Sequence, residues 1–92
     1  MKGKTSSGFE FEIDEKKLDD MRLLDMIVDL ANGDAMQLSP VVVKVLGKDQ
    51  RERLYEHLEE KEGRASIERV SEEVAEIFSA GRSGKNSSPS PE

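Results

Sequence analysis

"LSPVVVKVLG", residues 38–47, is the stretch on which the fold turns. Three consecutive valines favour an extended strand, because β-branched side chains fit a pleated surface well. The flanks point to helix. Ser39 can cap one, Pro40 suits its first helical position, and Leu38 can pack back on Val43 as a staple. Gly47 then offers a stop. Read as a helix, the segment is short and apolar nearly all round, which makes it the central buried element.

Downstream, Asp49 followed by Glu52 is close to a capping box, and Gly63 is the stop of the next helix. Between them only Leu54, Tyr55 and Leu58 are apolar, a narrow stripe on an otherwise solvated rod. The last helix is cleaner. Ser66 caps it, Ile67, Val70, Val74, Ile77 and Phe78 share a face, and Gly81 ends it.

Upstream, Asp14 stands where an N-cap belongs. Leu18, Met21, Leu24, Ile27, Val28 and Ala31 come after it at three- and four-residue spacings, the stripe of an amphipathic helix that stops at Asn32-Gly33. Ahead of it "GFEFEID" (8–14) alternates, with Phe9, Phe11 and Ile13 on one side and Glu10 and Glu12 on the other, a half-buried strand. Such a strand needs a partner: Lys2–Thr5 folded back through Ser6-Ser7-Gly8, or the edge of a neighbouring molecule.

The expected fold is therefore mainly α, a short N-terminal strand or hairpin followed by about four short helices in a compact bundle. Residues 1–8 form a flexible N-terminus or the first hairpin strand, residues 9–81 a single domain, and residues 82–92 a disordered Gly-, Ser- and Pro-rich tail. There is no internal repeat and no heptad series long enough for a coiled coil.

The chain has 92 residues, no cysteine and one histidine. Disulfides and thiolate metal sites are excluded, and a single His cannot build a metal site alone. Roughly 70 residues are left for a core, a size that supplies only about 3–5 kcal/mol, so self-assembly is an expected staple. The 20 acidic against 14 basic residues give a net charge of −6. A phosphate backbone repels such a surface, which argues against nucleic acid and leaves a basic partner open. No apolar run approaches a membrane span and no signal-peptide pattern opens the chain, so a cytoplasmic protein is expected.

No constellation of residues carries catalysis. His57 sits at the edge of the Leu54/Leu58 stripe among Glu56, Glu59 and Glu60, and the serines fall at caps, flanks and tails; it reads as a boundary histidine. The aspartates lack the spacing and central Gly of a calcium loop, and the glycines form no phosphate cradle. No catalytic, cofactor or metal residue is expected. Phe9, Phe11, Ile13, Tyr55 and Leu58 are the candidates for a partner or self-association surface, Tyr55 as an interface anchor, although Phe9 and Phe11 can equally cover the core.

Three blocks read together, "KTSSGFEFEID" (4–14), "VVKVLGKDQRERLYEHLEEKEGRASIERVSEEVAEIF" (42–78) and "GKNSSPSPE" (84–92), resemble the tail assembly chaperones of phages and prophages of Gram-positive bacteria with long non-contractile tails. The resemblance implies a non-catalytic, self-associating protein. It would coat the tape-measure protein in the host cytoplasm while tail-tube subunits polymerise, and be absent from the mature virion. It also implies a longer form made by a ribosomal frameshift, and Gly84-Lys85-Asn86 can be encoded with the slippery heptamer A-AAA-AAC. Short helices joined by Gly-containing turns also admit a helix-turn-helix regulator, and the acidic charge admits a small adaptor or antitoxin that masks a basic partner.

Overall fold

The computed structural model describes residues 1–85. Strands β1 (Lys2–Lys4) and β2 (Glu10–Glu12) form an antiparallel hairpin with Gly3 opposite Phe11. Four helices come next: α1 (Glu15–Leu18), α2 (Met21–Ala31), α3 (Leu38–Glu62) and α4 (Ile67–Lys85), with a 3-10 turn at Ala35–Gln37. The expected architecture is the observed one.

Of the two partners open to the strand, the chain supplies its own. Thr5 and Phe9 close the hairpin (Thr5 N–H to Phe9 C=O, 2.9 Å), and Gly8 N–H donates to Thr5 C=O at 2.9 Å. Gly8 takes φ 93°, so the three-residue loop is a turn followed by a left-handed residue, which glycine adopts without a Cβ penalty. Phe9, Phe11 and Ile13 point inward and are buried, while Glu10 and Glu12 face solvent.

Residues 38–46 are helical, as their flanks indicate, but the start differs. Asp34 caps the 3-10 turn by accepting from Met36 N–H, and the helix begins at Leu38. Ser39 and Pro40 therefore sit exposed within the first turn rather than at its cap and first position. Pro40 is tolerated there because first-turn N–H groups have no helical acceptor. At Gly47 the backbone breaks (φ 82°, ψ 165°), dividing α3 into a buried limb, 38–46, and a charged limb, 48–62. Glu52, expected to box with Asp49, pairs with Arg51 instead. Gly63 ends the helix at φ 86°, and Ser66 Oγ caps α4 by accepting from Arg69 N–H at 3.1 Å.

Further expectations fail, and each failure is informative. The helix expected to run from Asp14 to Ala31 is two helices. Asp14 caps α1, the chain breaks at Asp19, and Asp20 caps α2 by accepting from Arg22 N–H at 2.9 Å. The break resets the phase, so Leu18 no longer marks the inward face of α2. Leu23 is fully buried and Met26, Ile27 and Leu30 are half-buried, whereas Met21 (66 % exposed), Val28 (47 %), Leu24 (37 %) and Ala31 face outward. Likewise Ile67, placed on the core face of α4, is 69 % exposed, while Val70, Val74 and Ile77 are buried.

Gly81 does not end α4. The helix continues to Lys85, so residues 82–85 of the expected tail are helical, and residues 86–92 lie outside the described residues. Gly81 is buried where α1 crosses α4, and a Cβ there would overlap Leu18 Cδ1 and come within 3.2 Å of Ile13 Cδ1. Its role is close packing rather than termination.

Gly81→Ala sets helix propensity, a gain of about 1 kcal/mol, against overpacking, a cost of about 1–3 kcal/mol. Overlap with a core side chain makes the cost prevail, so urea denaturation should show a less stable variant. In a Leu18→Ala background the same change should become neutral or stabilising. Additive effects in this double-mutant cycle would refute the close-packing role. A second expectation concerns acid. The Arg22 N–H, followed by the Lys44 ammonium 3.2 Å away, holds the Asp20 carboxyl below its ordinary range. A depressed carboxyl stabilises the fold above its unfolded-state pKa of about 4, and that contribution disappears as pH falls through the folded value. Thermal melts below about pH 4 should therefore show a flatter pH dependence for Asp20→Asn than for the wild type.

Candidate functional site

The candidate surface residues read from sequence fall mostly in the core. Phe9, Phe11, Ile13 and Leu58 are buried, and a buried side chain presents nothing to a partner. Tyr55 is half-buried, its ring covered by the Arg51 guanidinium 5.9 Å from its centroid. The other role open to Phe9 and Phe11, that they cover the core, is the observed one.

His57 lies against the hairpin loop. Its Nε2 is 3.1 Å from Ser7 C=O and 3.2 Å from Ser7 Oγ, and its ring packs on Phe9 at 5.7 Å between centroids. Sequence placed no serine near this histidine, because Ser7 is fifty residues away and only the hairpin brings it there. The tautomer with its proton on Nε2 donates to the Ser7 carbonyl and has no lone pair there with which to take the Ser7 proton, so in that form His57 anchors the turn.

Two residues that periodicity could not flag complete the attachment of the hairpin. Glu76 of α4 accepts from Ser6 N–H (2.8 Å) and Ser6 O–H (2.5 Å). Gln50, one turn beyond the Gly47 break, accepts from Glu12 N–H at 2.7 Å and donates to Glu12 C=O at 2.6 Å and to Leu46 C=O at 2.9 Å. Its carboxamide thus supplies β2 with what a third strand would, and satisfies a carbonyl left over at the kink. Polar side chains in a charged helix give no sequence signal for this, since only tertiary contact distinguishes Gln50 from its neighbours.

The outward features are of a different kind. On α2, Met21, Leu24 and Val28 lie at i, i+3 and i+7, and Ala31 extends the row. Asp25 and Asp29 border it on one side, and neither forms an ion pair among the described residues. A groove of about 440 Å³ opens between the end of α2 and the start of α4, lined by Leu30, Ala35, Leu38 and Ile67 with Glu68 and Glu72. Exposed contiguous apolar rows of this kind mark contact sites. Periodicity alone places Met21, Leu24, Val28, Ala31 and Ile67 on a core face, and the structure turns them outward.

Nearby, Glu73 is fully buried, and neither carboxylate oxygen has a hydrogen-bond partner among the described residues. The nearest cation, Arg69, has its Nη2 3.9 Å away and is shared with Glu72 (2.7 Å) and Glu62 (3.0 Å). Among the described residues no group of three or more potential ligand residues is arranged to hold a metal ion, and no helix is long and apolar enough to cross a membrane.

Cutting the loop attachments should loosen the hairpin without unfolding the helices. Glu76→Ala should cost about 1 kcal/mol, the ordinary net worth of such hydrogen bonds. Amide exchange should accelerate at Thr5 and Gly8 while the α3 amides keep their protection; uniform acceleration would mean that the hairpin and helices open as one unit. Glu73→Met should raise stability by roughly 1 kcal/mol or more, because an apolar side chain of similar volume removes a poorly paired buried charge. A lower urea midpoint for that variant would show that the Arg69 contact outweighs desolvation.

Comparison with protein-family models, with curated proteins and with solved structures finds no match to this chain, so the functional reading rests on its own residues.

Proposed function

We propose that this protein is a non-catalytic assembly chaperone of long non-contractile phage tails, which holds the tape-measure protein in the bacterial cytoplasm while tail-tube subunits assemble around it. The observation that carries the reading is the apolar row Met21, Leu24, Val28 turned to solvent, with Met36 and Ile67 exposed as well. A holdase needs such a face, because it must shield an apolar stripe on a client without committing its own core. The resemblance of residues 4–14, 42–78 and 84–92 to the chaperones of such tails supplies the client class. A net charge of −6 supports the same role by keeping the domain soluble while that row is exposed.

Asp25 and Asp29, without an ion pair among the described residues, support a second reading, an acidic adaptor or antitoxin that masks a basic partner. Gene neighbours separate the two, since a toxin gene and a very long tape-measure gene make different predictions about what co-purifies.

Expression with the native downstream DNA, followed by intact mass spectrometry, should yield a minor longer species sharing residues up to about Lys85–Asn86, and the adjacent tape-measure protein should co-purify when co-expressed. A single 10.3 kDa product that captures no tape-measure protein would remove the tail-assembly reading.

A further inference from the structure

Resting on the chaperone reading for the client, we infer that the outer face of α2 is the docking surface, and that its occupant is an amphipathic helix whose apolar stripe is bordered on one side by Lys or Arg. Met21, Leu24, Val28 and Ala31 alternate spacings of three and four, the pattern that receives knobs from a facing helix. The 11 residues of α2 give a seam about 16 Å long, matched to three turns of a partner.

The flank specifies the sign of that partner. Asp25 lies beside Met21 and Val28 on the helix surface, and Asp29 continues the border one turn on; both are exposed. The Lys44 ammonium beneath the start of α2 is already held by Asp20 at 3.2 Å, and no other described cation pairs with α2. The opposite border is Ile27, half-buried against the domain. An antiparallel second copy would bring like flanks together and set Asp25 and Asp29 against themselves, and a parallel one would set them against the half-buried Ile27 border, which carries no cation. Like charges so placed cost binding, whereas Lys or Arg would gain from a border otherwise unpaired. A basic-flanked helix fits where a second copy does not.

Two three-turn fluorescent peptides test this on the full chain: one apolar stripe, with Lys on the flank in one and Glu in the other, read by anisotropy. The Lys peptide should bind at least about tenfold more tightly, and its affinity should fall as salt rises from about 50 to about 500 mM. Asp25→Lys with Asp29→Lys, both at exposed positions, should reverse the preference, and Leu24→Ala with Val28→Ala should weaken both peptides. Equal binding of the two peptides, no binding of either, or an unchanged preference in the charge-reversed protein would overturn the assignment. So would a dimer in light scattering that dissociates on Leu24→Ala with Val28→Ala, since a second copy would then hold the face. Failure here is distinct from failure of the chaperone reading. Tape-measure protein captured equally by wild type and the charge-reversed variant leaves the function standing and removes this surface, whereas charge-selective peptide binding without tape-measure capture does the reverse.

Discussion

Asp20 sets which way α2 faces, and most of the molecule's distinctive surface depends on that. Its carboxylate accepts from Arg22 N–H and pairs with Lys44 in the buried limb of α3, so a single side chain both starts a new helix and ties it to the central element. Without the interruption at Asp19–Asp20 one continuous helix would carry Leu18, Met21, Leu24 and Val28 along one line into the core. With it, Leu23 goes inward and the Met21/Leu24/Val28 row turns outward. An N-cap contributes little energy compared with a core residue, yet its position fixes the rotational phase of every residue after it.

The hairpin completes the fold by a different device. A two-stranded ribbon is marginal in water by itself. This one is held by its buried face of Phe9, Phe11 and Ile13, and by polar side chains reaching from both long helices. Gln50 takes the outer backbone groups of Glu12, while His57 and Glu76 take opposite sides of the Ser6–Ser7 loop. Gly3 belongs to the same economy of space, since a Cβ there would come within 2.6 Å of Phe11 Cζ. The tip of the ring therefore occupies the space a side chain at position 3 would need, and any larger residue would displace it.

The features legible in the sequence were those that depend on local physics. Alternation at Phe9–Ile13, the cap at Ser66, and the helix interruptions at Gly47 and Gly63 all read correctly, because each is decided within a few residues. The strand-or-helix ambiguity of the valine run also resolved through its flanks. The misleading features were those in which two mechanisms share one signature. An i, i+3, i+7 apolar row looks the same whether it meets the core or a partner, and Gly81 looks the same as a helix stop or as a gap left for Leu18. The polar attachments of Gln50, His57 and Glu76 were illegible for the opposite reason, since each joins residues far apart in sequence and leaves no periodic trace.

Small size sharpens the meaning of the outward row. A domain with a single core of this extent has only a few kcal/mol in reserve, and burying one more Leu or Met side chain is worth about 1.5–3 kcal/mol. Leaving Met21, Leu24 and Val28 in water while placing Glu73, a poorly paired carboxylate, in the interior is the reverse of what stability alone would favour. Local rules broken at a cost, without a compensating contact among the described residues, are expected where function sets the residue. The two departures lie on different helices, but of the two only the α2 row is accessible, and it combines apolar area with a charged border that forms no ion pair among the described residues. A contact partner that covers the row would recover the missing burial on binding, and the domain would be at its most stable only when occupied.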